Sequence, residues 1–167
     1  MDITIDSIET LVPEQHRELV FRFFLVFSRF EYALKRAGFT SGSTEVVHPA
    51  WECFSSRYRS VFNPSQTPDL RSACDYFIAN PPRKQILDSG SLGWSEPQFR
   101  IDEPFLTWLL LMVRSVRNNL FHGGKFPIAP IQEPARNPEL LRHALTIICA
   151  CLPLDAEVSH HFSTDER

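Results

Sequence analysis

Phe105-Leu106-Thr107-Trp108-Leu109-Leu110-Leu111-Met112-Val113 leads without a break into Arg114-Ser115-Val116-Arg117-Asn118-Asn119-Leu120-Phe121-His122-Gly123-Gly124-Lys125. The first nine residues are apolar on every side of a helical projection, which predicts a helix buried nearly all round. The second stretch sets basic and polar side chains on the same helix, and so carries them out of the core into a cleft. Gly123 or Gly124 can take the left-handed conformation that closes a helix, placing His122 in the last turn beside unsatisfied carbonyls and the negative end of the dipole.

Outward from this helix, the other elements announce themselves by their ends. Thirteen prolines and only six glycines punctuate the chain, and most prolines stand where a helix starts or stops. A long first helix is predicted from Pro13 to Ala37, with Gly38 ending it and Phe21, Phe24, Leu25, Phe27, Phe30, Tyr32 and Leu34 as its apolar surface. A second begins near Pro49 and carries Trp51, Phe54, Tyr58 and Phe62. Thr67-Pro68-Asp69 gives a cap, a first-turn proline and an acid for a third, stopped at Asn80-Pro81-Pro82 and burying Leu70, Ala73, Phe77 and Ile78. The core helix follows from Asp102-Glu103-Pro104 to His122. A fifth opens at Asn137-Pro138-Glu139 and buries Leu141, Ala144, Leu145, Ile148 and Leu152. Strand-like alternation is scarce; residues 83–100 read as a turn-rich loop that can hold a short hairpin anchored by Trp94. The expected architecture is all-α, an up-and-down bundle of four to five helices. It forms one domain over residues 1–158, with a frayed polar tail at 159–167.

Composition excludes several classes. The 167 residues are 43% hydrophobic, enough for one real core. Net charge is −3 and the isoelectric point about 6.1, so a nucleic-acid partner must be met by a local patch rather than a global basic field. The leading Met1-Asp2-Ile3-Thr4-Ile5-Asp6 lacks the basic and apolar regions of a signal peptide. The 105–113 run is short of the roughly 20 apolar residues a bilayer span requires. The expectation is a cytoplasmic protein without membrane contact. The four cysteines show no metal-ligand spacing; Cys149 and Cys151 sit in an apolar helical run and read as core residues. No cofactor is expected.

Chemistry concentrates at the end of the core helix. Arg114, Asn118 and His122, spaced by four, share one slowly drifting face, and the long Arg117 side chain can reach the same space. A guanidinium fork suits phosphate oxygens, and an imidazole moves protons near neutral pH. Cleavage of RNA by its own 2′-hydroxyl asks for those two functions and, in principle, no metal. Ser28 and Glu31, polar among Phe27, Phe30 and Tyr32, form a supporting pair: Glu31 can hold Arg114 or Arg117, hydrogen-bond His122, or pair with Lys35. Lys125, Lys35 and Arg36 are candidate phosphate contacts. His48, His143, His160 and His161 read as structural.

Arg117-Asn118, three further residues and His122, taken with Ser28-Arg29-Phe30-Glu31-Tyr32-Ala33-Leu34-Lys35 on the long first helix, resemble the HEPN superfamily, in particular its stand-alone bacterial members. The resemblance covers those two helices well and the middle of the chain loosely. It implies a helical bundle that dimerises so that two motifs share a cleft. It also implies metal-independent ribonuclease activity of the kind used by toxins and in phage defence, restrained by an antitoxin or another regulatory protein. Arg117 would then contact the scissile phosphate, His122 would assist proton transfer, and Asn118 would orient both. One position departs: Gly124 stands where toxins paired with nucleotidyltransferase antitoxins carry tyrosine. Two readings compete with catalysis. A non-catalytic module would bind RNA, nucleotide or protein through Arg117 and Lys125, and a purely structural cluster would cap the helix end.

Overall fold

A computed structural model describes residues 12–99, 102–121 and 136–164. Among them the chain is mainly helical, with six α-helices and two small antiparallel hairpins. No helix among the described residues is long and apolar enough to cross a membrane.

Helix α1 (Glu14–Arg36) turns Phe23, Phe27, Phe30, Ala33 and Leu34 into the core. It ends as its glycine dictates. Gly38 lies at φ +85°, Phe39 N–H donates to Leu34 O at 2.9 Å and Gly38 N–H to Lys35 O at 3.2 Å, and buried Phe39 completes this paired-bond helix stop with an apolar contact. The apolar surface expected of α1 divides in two, because Phe21, Phe24 and Leu25 face away from the core and are exposed.

Strands β1 (Thr40–Gly42) and β2 (Val47–Pro49) form a small hairpin that the sequence pattern did not announce. Three-residue strands give alternation no room to show. Gly42 is obligatory there: its φ is +115°, and a Cβ would stand 2.2 Å from Val46 O. Helix α2 (Trp51–Tyr58) follows and places Trp51 and Phe54 in the core; Phe62 packs against the core from beyond its end. Helix α3 (Pro68–Ala79) starts as its signature requires, with Thr67 Oγ1 accepting from Leu70 N–H at 3.1 Å. It buries Leu70, Ala73, Cys74 and Phe77, while Ile78 is exposed.

Residues 83–100 contain a regular hairpin. Strands β3 (Lys84–Asp88) and β4 (Ser91–Ser95) pair in register from Lys84 with Ser95 to Asp88 with Ser91. Ser89 and Gly90, both at positive φ, make the two-residue turn whose twist suits antiparallel strands. Trp94 does not anchor the hairpin, since it is exposed opposite Gln85.

Helix α4 (Phe105–Phe121) is the core helix. Leu106, Trp108, Leu109, Leu110, Met112, Val113 and Val116 are all buried, and it packs against α2, α3, β3 and α5. Helix α5 (Arg136–Cys151) buries Leu140, Leu141, Ala144, Ile147, Ile148 and Cys151, with Leu145 half-buried. Asn137 therefore lies inside the helix rather than capping it. A 3-10 turn (Leu152–Leu154) leads to α6 (Ala156–Ser163). Here, over the described residues 159–164 of the expected frayed tail, the chain is mostly helical. Asp155 caps α6 by accepting Val158 N–H at 3.0 Å, Val158 and His161 are buried, and α6 packs on α1. Arg29 fastens the pair by donating from Nε to Phe162 O at 2.9 Å and from Nη2 to Thr164 O. A polar composition concealed one short amphipathic turn.

Of the cysteines, Cys74 and Cys151 are buried, whereas Cys149, read as a core residue, is exposed like Cys53. Burial pushes the Cys74 thiol up to about 12 and raises Cys151 further.

Asp155 also accepts the Tyr58 hydroxyl at 2.5 Å, which ties α2 to α6. Asp155→Ala removes this bond and a helix cap together, and is expected to cost about 2 kcal/mol in urea unfolding, with Tyr58→Phe costing about half of that. His143 on α5 lies against the Tyr76 ring and within 3.6 Å of Glu139. Burial holds its pKa below the usual 6.5, outweighing the upward pull of Glu139, while Arg142 adds to the lowering. The folded state therefore favours the neutral ring, and this stabilisation is complete above the unfolded pKa of 6.5 and lost as pH falls below it. The urea midpoint should drop between pH 7.5 and 5.0, and drop less in His143→Gln.

Candidate functional site

The polar end of α4 is offset from its apolar length by helical rotation alone. Arg114 and Asn118 are one turn apart on the face that meets the β3–β4 hairpin. Between them lies an open cleft of about 320 Å³, lined by Lys84 and Gln85 from β3 and by Leu111, Arg114, Ser115, Asn118 and Asn119 from α4. Among the described residues its lining holds two cations, three amides and no carboxylate, a donor-rich surface suited to an anion that also carries hydrogen-bonding groups.

Two hydrogen bonds fix the walls. Asn119, buried, donates from Nδ2 to Arg83 O at 2.7 Å, stitching the start of β3 to α4. Ser115 Oγ turns back to Leu111 O at 2.9 Å. At the other end of the hairpin's base, Arg83 Nε donates to Glu96 Oε1 at 2.7 Å. Asn119 thus lines the cleft and acts as a strut between the hairpin and the helix.

The Arg114 side chain makes no hydrogen bond or ion pair with another described residue. It stands between this cleft and a smaller one of about 120 Å³, lined also by Trp51, Glu52, Ser55, Glu103 and Thr107. Ser55 and Thr107 share a hydroxyl contact of 2.9 Å in that second wall and join α2 to α4. Arg114 is thereby bracketed by a cationic cleft on one side and two carboxylates on the other.

Arg117 points elsewhere. Its guanidinium lies 5.8 Å from the centroid of the Phe27 ring on α1, and its Nη1 donates to Asn118 Oδ1 at 3.1 Å. Asn118 therefore both lines the cleft and steers Arg117. Glu31 holds neither arginine: its carboxylate accepts the Trp51 indole N–H at 3.2 Å and so ties α1 to α2. Ser28 Oγ folds back on Phe24 O at 2.6 Å. Lys35 and Arg36 occupy the last turn of α1, exposed, and do not line the cleft. His122 and Lys125, with the two glycines between them, lie outside the described residues.

Lys84 and Gln85 were missed in the sequence. They carry no motif, and only the tertiary seat of the hairpin brings them to α4; the basic pair Arg83-Lys84 just after Pro81-Pro82 was the available signal. No protein family, curated protein or solved structure matches this chain.

Asn119→Ala leaves the part-buried Arg83 carbonyl without its donor and is expected to cost about 1 kcal/mol. Hydrogen exchange should then accelerate in residues 84–95 well before it does in α4.

Proposed function

We propose that this chain is a HEPN-like, metal-independent endoribonuclease that works as a homodimer, with Arg117, Asn118 and His122 at the reacting phosphate. The observation that carries the reading is Arg117-Asn118 near the end of an otherwise buried helix, five and four residues before His122, beside a cleft whose donors suit phosphate. In this reading Lys84 and Arg114 neutralise backbone phosphates of the RNA strand, while Gln85 and Asn118 offer hydrogen bonds to sugar or base. Asn118 positions Arg117 through the bond between their side chains. His122 takes the proton from the attacking 2′-hydroxyl or gives one to the leaving 5′-oxygen as its bond to phosphorus breaks, and Arg117 stabilises charge on the phosphorane. An up-and-down bundle, a toxin or phage-defence role and a restraining antitoxin or regulatory protein belong to the same proposal.

A non-catalytic RNA-binding module is the second reading, favoured by one observation. Arg117 rests against Phe27 and does not line the cleft.

The two readings part on total cellular RNA incubated with excess chelator. Catalysis predicts new 5′-hydroxyl ends with the native chain and none with His122→Ala. A binding module predicts no new ends with either, and RNA affinity that His122→Ala retains. In both readings Lys84→Ala and Arg114→Ala should weaken RNA binding and each reduce its salt slope by about 1. An unchanged slope in both would remove the cleft from the RNA path.

A further inference from the structure

The three tryptophans of the chain divide unevenly. Trp51 and Trp108 are sealed in the core, whereas Trp94 on β4 is 41% exposed. Among the described residues its indole N–H meets no acceptor and its ring no other ring. The hairpin is held without it. Ser89 and Gly90 make the turn, and the base is fastened by Asn119 on the Arg83 carbonyl and by Arg83 on Glu96.

What Trp94 stands beside is the cleft. It lies directly across from Gln85 in the β3–β4 register, and the side chains of an opposed pair rise on the same face of a hairpin, with Cβ atoms about 5 Å apart. Lys84 and Gln85 both border the cleft, so it runs along the edge of β3 that meets α4. The two pins at the base bracket the same rung. Arg83, two residues before Gln85, accepts from Asn119 on α4 at 2.7 Å, and its guanidinium holds Glu96, two residues after Trp94, at 2.7 Å. The indole is therefore fixed one strand spacing, about 5 Å, beyond the cleft wall. Leu87 is exposed along the same face, while Asp88 alternates to the other.

Cations and amides alone suit many anions. A solvent-facing indole next to them adds a flat apolar platform, and a nucleotide carries both an anion and a flat ring within that short span. An apolar peptide would leave Lys84 and Arg114 unanswered, and free phosphate would leave the indole in water. We propose that Trp94 is the base-stacking platform of this cleft: an unpaired base of a single-stranded RNA lies on the indole while neighbouring phosphates meet Lys84 and Arg114. A paired base, stacked within its duplex, does not offer its face to the ring. The inference rests on the RNA reading above and deepens it, since it makes the substrate single-stranded at this point and leaves the identity of the stacked base free.

A single-stranded 2′-O-methyl oligonucleotide, which its own sugar cannot cleave, tests this apart from catalysis. An abasic oligomer of equal length keeps the phosphates and removes the bases. Because Trp51 and Trp108 are buried, solvent-exposed tryptophan emission reports Trp94, and it should be quenched by the first oligomer and not by the second. In fluorescence anisotropy with labelled oligomers, Trp94→Ala should bind the first about tenfold more weakly and the second as the native chain does, with Trp94→Phe recovering most of the loss. Unquenched emission on binding, native affinity of Trp94→Ala for the first oligomer, or an equal loss on both overturns the stacking platform and leaves RNA in the cleft. Failure of the native chain to bind either oligomer overturns the platform and the RNA reading together.

Discussion

The structure depends on the burial of α4. A helix that packs on α2, α3, α5 and the second hairpin at once has almost no face left for water, and its sequence complies with Leu106, Trp108, Leu109, Leu110, Met112 and Val113 in succession. Apart from Thr107, whose hydroxyl meets Ser55, polar residues are therefore admitted only late in the helix and at fixed angles. Ser115 spends its hydroxyl on its own helix and Asn119 its amide on the hairpin, while Arg114 and Asn118 emerge into the cleft. A group on such a helix is held rigidly, because moving it means unpacking the core.

Around this helix the chain closes through aromatic contacts. Phe30 and Phe39 each meet Phe54 edge to face, Trp51 lies against Phe27 and Phe30, and Tyr58 extends the cluster toward Asp155. Such ring pairs prefer tilted geometry over free sliding, so α1 and α2 are set in angle as well as distance. The last helix is then held from both sides, by Asp155 through Tyr58 and by the arginine that reaches two carbonyls near its end.

Legibility followed the range of the interaction. Signals within one turn were readable: Thr67 before Pro68, Gly38 after Ala37, and the apolar run of α4 all produced the elements they imply. Signals that need a partner were not. Nothing near Glu31 in the chain points to the Trp51 indole, twenty residues on, and nothing near Lys84 points to Arg114. Short elements failed for a different reason. The three-residue strands and the eight-residue α6 are stabilised by a glycine, a cap and one or two buried side chains, too few positions for a periodic pattern. Of the candidate site, the placement of Arg114 and Asn118 on one face was legible; the hairpin wall and the resting place of Arg117 were not.

The cysteines give this chain its own clock. Cys53 and Cys149 meet solvent, while Cys74 and Cys151 are sealed in the core with thiols held in the protonated, unreactive form. An alkylating reagent thus sees two populations: a surface pair, of which Cys149 reacts more slowly because partial burial raises its thiol pKa, and an interior pair modified only in molecules that have opened. The rate at which the second pair is consumed reports opening of the α3–α5 core in the native sequence.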